Sequence, residues 1–358
     1  MTQAVSSEAL QDLHNRYQQF KQDNPQQRIR NAADALQVSE VELVALSCGQ
    51  DKGAQRLQNA SGRFRALIGE IRELGSVMAL TRNNSVVHEK TAPYGKLGGG
   101  EQVGLFLGDI DLRIFFNQWT FGYHVQEGER RSLQFFDAAG TAVHKIYANG
   151  DTDMAAFDAL VERYLAEDQS AGQLIDPVAA AEADRRVTEP TLSDDEIDVV
   201  AFHQDWDQLK DVHDFFDLLK KHQLERQQAF RLAGTERAVP LSSEVFEQAL
   251  EKAAAAELPV MIFVGNTGMV QIHTGPVKKL MRRGPWFNVL DLGFNLHANT
   301  EAFSQAWLVR RPTEDGVVSS LEIFDQDGHL ATQMFGARKP GQIELSEWQA
   351  LLTELEHS

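Results

Sequence analysis

Apolar and polar residues alternate, in part, through a series of short runs in the first half of the chain: "SVMALTR", "SVVHEK", "LFLG", "LRIFFNQW", "RSLQFFD" and "AVHKIYA", separated by Gly, Asn and Asp. A period near two with turn residues between the runs predicts antiparallel strands, each with one buried face. Helical spacing marks "DMAAFDALVERYLAE" and "LSEWQALLTELE", which close the two halves, and the polar start "MTQAVSSEALQDLHNRYQQF" is also helix-patterned. Strands follow one another instead of alternating with helices, so the expected class is α+β.

The pattern occurs twice. "FFNQWTFGYHVQEGERRSLQFFDAAGTAVHKIY" resembles "AFSQAWLVRRPTEDGVVSSLEIFDQDGHLATQMF", which pairs Trp119 with Trp307, Asp137 with Asp325 and Gly140 with Gly328, each 188 positions apart. Upstream, "VMALTRNNSVVHEK" and "VMIFVGNTGMVQIHTG" set His88 opposite His273. A repeat this long is a duplicated domain, not a solenoid of units about 20–50 residues long. The stretch 166–200 between the halves is acidic and alanine-rich, with two prolines. A tandem duplication is therefore expected: an N-terminal repeat over 1–170, a linker over 171–198 and a C-terminal repeat over 199–358, each a large antiparallel sheet with flanking helices.

Composition narrows the functional classes. At 358 residues, 42% hydrophobic and 24% charged, the chain is of ordinary globular make-up, and no run approaches the ~18 apolar residues of a membrane span. A single cysteine, Cys48, excludes an internal disulfide framework and multi-cysteine metal sites. The formal charge of −18, with no strongly basic run expected to interrupt it, disfavours nucleic acid. Residues 28–46 have a helix-turn-helix cadence but no basic second helix, so scaffold is the better reading. The glycine-rich "GKLGGGEQVG" lacks phosphate-loop or dinucleotide spacing and is expected to be a hairpin loop. For His203 and His222, exposed or capping roles are expected.

"KDVHDFFDLLKKH" is the most suggestive segment. Read as one helix, it puts His213 on a stripe with Trp206, Leu209 and Phe216. That pattern suits a histidine satisfied in a core, and it equally suits a ligand to a large planar metal cofactor.

"DVHDFFDLLKKHQLERQQAFR", "DLRIFFNQW", "WLVRRP" and "QMFGAR", in one order over nearly the whole chain, resemble the haemin-degrading factor family of the HemS/ChuS type, cytoplasmic proteins of bacterial haem uptake. The resemblance implies haem b as ligand or substrate, with His213 on the iron and Arg113 on the opposite haem face, where the two halves meet. It implies porphyrin contacts from Phe115, Met261 and Phe263. Along the propionate edge it implies Arg226, Arg311 and Arg338, with Gln333 and Phe335. It further implies oxidative ring opening with iron release and an external electron donor, or delivery of intact haem to a separate haem oxygenase. An inner-membrane haem transporter is a further implied partner, with no nucleic acid and no membrane insertion. Phe335 stands where some relatives carry Tyr, and Arg311 where some carry Lys.

Overall fold

The fold is described from a computed structural model covering residues 6–50, 53–59, 64–185, 191–339 and 341–357. The first repeat runs α1 (Ser7–Asp23), α2 (Ile29–Leu36), α3 (Glu40–Ala45), β1 (Ala54–Arg56), α4 (Arg65–Glu70), β2 (Gly75–Arg82), β3 (Val86–Pro93), β4 (Gly98–Gly99), β5 (Val103–Phe106), β6 (Asp111–Phe115), β7 (Phe121–Glu127), β8 (Arg130–Phe136), β9 (Ala142–Thr152) and α5 (Met154–Arg163). After α6 (Pro177–Arg185) the second follows the same plan: α7 (Val199–Asp207), α8 (Asp214–His222), α9 (Arg226–Leu232), β10 (Ala238–Leu241), α10 (Val245–Ala255), β11 (Val260–Gly265), β12 (Met269–Gly275), β13 (Leu280–Arg283), β14 (Trp286–Asp291), β15 (Phe294–Asn299), β16 (Phe303–Thr313), β17 (Gly316–Asp325), β18 (Leu330–Gly336) and α11 (Ser346–Glu356). Of the expected linker, 186–190 lie outside the described residues.

The strands form two nine-stranded sheets, β1-β7-β8-β9-β2-β3-β15-β14-β13 and β10-β16-β17-β18-β11-β12-β6-β5-β4. The α+β class and the duplication are thereby realised. Each repeat keeps six strands in its own sheet and sends the other three to the sheet of its twin.

The chain also divides into two compact units that trade hairpin tips. Asn266–Val270 belong to the unit built mainly from the first repeat, and Arg82–Glu89 to the unit built mainly from the second. Within the first unit, Met269 lies in a core with Leu67, Ile71, Leu112, Ile114 and Phe135; within the second, Val86 lies in a core with Phe246, Ile262, Leu321 and Trp348. Both tips turn on an asparagine. Asn83 Oδ1 accepts from the N–H groups of Ser85 and Val86, and Asn266 Oδ1 accepts from those of Gly268 and Met269, because an Asx side chain can replace a backbone acceptor in a tight turn.

Local sequence explains the shared helical corner. In both repeats a helix ends on a left-handed glutamine, Gln37 (φ 55°) or Gln223 (φ 52°). A capping box then starts the next helix: Ser39 with Glu42 in α3, Glu225 with Gln228 in α9. Five of the six α3 residues are buried, so this helix has no free face for a DNA groove. The glycine-rich loop contains the short β4–β5 hairpin, as expected.

Three expectations need correction. Strand register moves the repeat alignment: Tyr123 opposes Gln134 as Trp307 opposes Glu322, so Tyr123 is the counterpart of Trp307. Trp119 instead corresponds to Phe303, each capping a one-turn 3-10 helix. Counting from the hairpin asparagines, His88 corresponds to Gln271, not to His273, and Gln271 Nε2 lies 2.8 Å from His88 Nδ1. The acidic average also concealed a basic run, "KKLMRR", whose Arg282 and Arg283 lie on the edge strand β13, where charge discourages further strand pairing.

Lys145 on β9 forms a buried ion pair with Glu40 at the start of α3; their side chains are 9% and 5% exposed. Lys145→Ala would leave a buried carboxylate unpaired and should cost about 3–5 kcal/mol in urea unfolding. The Glu40→Ala/Lys145→Ala double variant should cost less than the sum of the two single changes.

Candidate functional site

His213 is neither in the core nor on one continuous helix. α7 ends at Asp207 and α8 begins at Asp214, with His213 as its N-cap residue. Trp206 and Leu209 turn inward, whereas the His213 side chain is 86% exposed and Phe216 73%. The expected stripe fails because the chain turns between Asp207 and Asp214, which resets the helical phase. The turn is held by Asp214 Oδ2, which accepts from the N–H groups of Lys210 and Asp211 at 3.2 and 3.0 Å.

Asp211 orients the imidazole. Its Oδ1 accepts the His213 backbone N–H at 2.8 Å and also meets Nδ1. That backbone N–H above all, with smaller help from the imidazole and the charge of Arg338 against partial burial, holds the Asp211 carboxyl below its usual range. A carboxylate can only accept, so Nδ1 carries a proton, and in the neutral imidazole Nε2 is the nitrogen with the lone pair. A carboxylate behind a histidine in this way is the usual support for a metal-ligating imidazole.

In the same unit, β11 and β18 present a half-buried strip. Met261 opposes Phe335 and Phe263 opposes Gln333, and residues opposed across a ladder share a face. The rings of Phe263 and Phe335 meet edge-on with centroids 5.2 Å apart. Val260, Ile262, Val264 and Met334 point to the other face and are buried.

Two of the expected propionate arginines are engaged internally. Arg226 donates from Nε and Nη2 to Glu322 at 2.6 and 3.1 Å, and Arg311 donates from Nη2 to the same carboxylate at 2.5 Å. Arg311 also donates to Ser320 Oγ at 3.1 Å and lies 4.2 Å above the Phe215 ring. Its side chain is 2% exposed and Glu322 is fully buried, while Arg226 is 24% exposed. Burial alone would raise the Glu322 carboxyl, but the charges and hydrogen bonds of Arg226 and Arg311 outweigh it and pull its pKa down to about 2. Arg338 donates to the Gln342 carbonyl at 2.9 Å and lies 3.5 Å from Asp315.

In the first unit, Asp111, Arg113 and Phe115 alternate with the buried Leu112 and Ile114 along β6, so Arg113 does point away from the core. It pairs with Asp111 and donates to the Leu112 carbonyl at 3.2 Å. Phe115 opposes Val103 on β5. Three other histidines have local partners: His203 Nε2 meets the Leu232 carbonyl at 2.7 Å, His222 Nε2 meets Asp205 at 2.6 Å, and His273 stacks on Phe294 with centroids 3.7 Å apart.

The second unit therefore carries His213, the apolar strip and the three arginines, and the first carries Arg113 and Phe115. Sequence reasoning missed Asp211 and Glu322. Asp211 had a signal, an acid two residues before the candidate ligand; Glu322 had none, because its partners lie 96 and 11 positions away.

The depressed Glu322 carboxyl links stability to pH. Its folded pKa lies below the unfolded value, so its contribution is complete above about pH 4.5 and is lost as pH falls toward about 2. The stability gap between the wild type and Glu322→Gln, measured by urea unfolding, should be largest at neutral pH and shrink through that window.

A family model for the haemin-degrading HemS.ChuX domain matches residues 37–164 and again 223–355. The hemin transport protein HemS of Yersinia enterocolitica is 38% identical over 349 residues, covering 96% of this chain and 97% of its own. The crystal structure of holo-PhuS, a heme-binding protein from Pseudomonas aeruginosa, superposes with a TM-score of 0.90 at 42% identity, covering 97% of this chain and 99% of PhuS. The heme degrading enzyme ChuS of Escherichia coli O157:H7 gives a TM-score of 0.86 at 33% identity, with coverage of 97% and 99%. The duplicated match, the near-complete coverage and the common fold together establish that this chain belongs to the haemin-degrading HemS/ChuX domain family.

Proposed function

We propose that the chain is a cytoplasmic haem-utilisation protein that binds haem b through His213 and degrades it oxidatively with release of iron. The observation that carries this reading is the His213 imidazole, exposed, backed by Asp211 and presenting Nε2. The residues fit the group. Nε2 can donate to iron, the Met261, Phe263 and Phe335 strip offers apolar surface to a porphyrin, and Arg226 and Arg338 are cations for carboxylates. When bound, haem supplies the iron chemistry through which oxygen attacks the ring; an external reductant must supply the electrons.

The chain's own part is orientation. Asp211 fixes the tautomer and direction of His213, and Arg113 is assigned as the hydrogen-bond donor toward developing negative charge on the reacting side. A second reading, delivery of intact haem to a separate oxygenase, is favoured by the exposure of His213, since an accessible ligand can be exchanged.

Titration with one equivalent of haemin should give a Soret band for the wild type. His213→Ala should shift that band and weaken binding by about tenfold or more. Arg113→Ala should retain binding and slow ring opening. With reductant, oxygen and catalase present, loss of the Soret band with stoichiometric free iron supports degradation. Transfer of intact haem to an acceptor, without iron release, supports the carrier reading. An unchanged spectrum and unchanged turnover in His213→Ala would overturn the assignment of the iron ligand.

A further inference from the structure

We infer that Glu322 is a positioning residue for the anionic edge of the ligand, acting through Arg226, and that Arg311 serves as the buried counter-charge of Glu322 instead of a ligand contact. The inference rests on the haem-binding reading and assigns a role within that site.

The geometry divides the labour. The Glu322 carboxylate accepts four hydrogen bonds: two from Arg226, one from Arg311 and one from Ser320 Oγ at 3.2 Å. Arg311, 2% exposed and seated over Phe215, cannot meet an outside anion without leaving that position. Arg226 is different. Its Nε and Nη2 are engaged by Glu322, which leaves the Nη1 end of a side chain that is still 24% exposed. A guanidinium fixed along one edge presents its other edge in a set direction, and a carboxylate can then be received bidentately without first ordering a long side chain. Glu322 opposes Gln333 across the β17–β18 ladder, so Arg226 is anchored beside the strand that carries Gln333 and Phe335.

Among the described residues, the first repeat has no such arrangement. Gln134 occupies the register position of Glu322, Tyr123 that of Trp307, and Lys145 that of Gln333. At the first position of the capped helix, α3 in one repeat and α9 in the other, Glu40 stands where Arg226 does, and it pairs with Lys145. The buried Glu322 cluster keeps one cationic charge in excess, whereas the Glu40–Lys145 pair is neutral.

The test compares binding of haemin with that of its dimethyl ester, whose propionates carry no charge. The readout is the ratio of ester Kd to haemin Kd for wild type, Glu322→Gln, Glu322→Asp, Arg226→Gln and the Glu322→Gln/Arg226→Gln pair. The wild type should prefer haemin, and Glu322→Gln should lower that preference by about tenfold, with Glu322→Asp restoring part of it. Removing the Glu322 charge without loss of orientation would raise the local positive potential and increase the preference, so an unchanged or larger ratio overturns the inference. In an Arg226→Gln background, Glu322→Gln should have no further effect on the ratio; an additive effect also overturns it. If Glu322→Gln does not fold by circular dichroism, Arg311→Met/Glu322→Gln removes both buried charges together and should show the same loss. A wild type that binds neither compound refutes the haem reading itself. A wild type that binds both equally well refutes only the role of Glu322 and Arg226.

Discussion

In one hydrophobic core of each unit a residue is borrowed from the other repeat, and much of the architecture follows from that exchange. The first core contains Met269 from the second repeat, and the second contains Val86 from the first. The hairpins that bring them are tied down by asparagine side chains that also reach backbone carbonyls beyond the turn: Asn83 Nδ2 donates to the carbonyls of Gly265 and Ala331, and Asn266 Nδ2 to that of Val143. Burying a side chain and saturating buried carbonyls are both costly to undo. The exchange therefore ties each β2–β3 or β11–β12 hairpin tip into a core built mainly from the other repeat.

Within that frame, the candidate site depends on how strongly each polar group is held. Glu322, Arg226 and Arg311 form a closed set of charge-assisted bonds on top of aromatic rings, with Phe215 beneath both arginines at 4.2 and 5.3 Å. His213 is only two residues before Phe215, yet the turn directs it outward. A well-packed platform thus carries an imidazole that is itself exposed and oriented by a single carboxylate. Rigidity and accessibility meet within three residues.

The sequence made some of this legible. Alternation revealed the strands and the α+β class, because a period of two survives in β2, β6 and β11 as one buried and one half-buried face. The direction of Arg113 followed from the same alternation. The turn before α8 did not show itself: Trp206, Leu209, His213 and Phe216 have helical spacing, and only the bonds of Asp214 to Lys210 and Asp211 reveal that the phase is broken. Repeat matching by identical letters misaligned Trp119 with Trp307, since tryptophan suits any large buried position and hydrogen-bond register does not respect identity. Long-range ion pairs such as Arg226–Glu322 leave no periodic trace.

The Glu40–Lys145 pair is what the corresponding corner became in the other copy. Duplication supplied two equivalent corners, each formed by a helix start above three antiparallel strands. In one the two charges balance each other; in the other Arg226 and Arg311 share one carboxylate, and Arg226 stays partly exposed. The two copies thus share a backbone plan and differ in chemistry, and a ligand with one acidic edge would find a cation in excess at the second corner and none at the first.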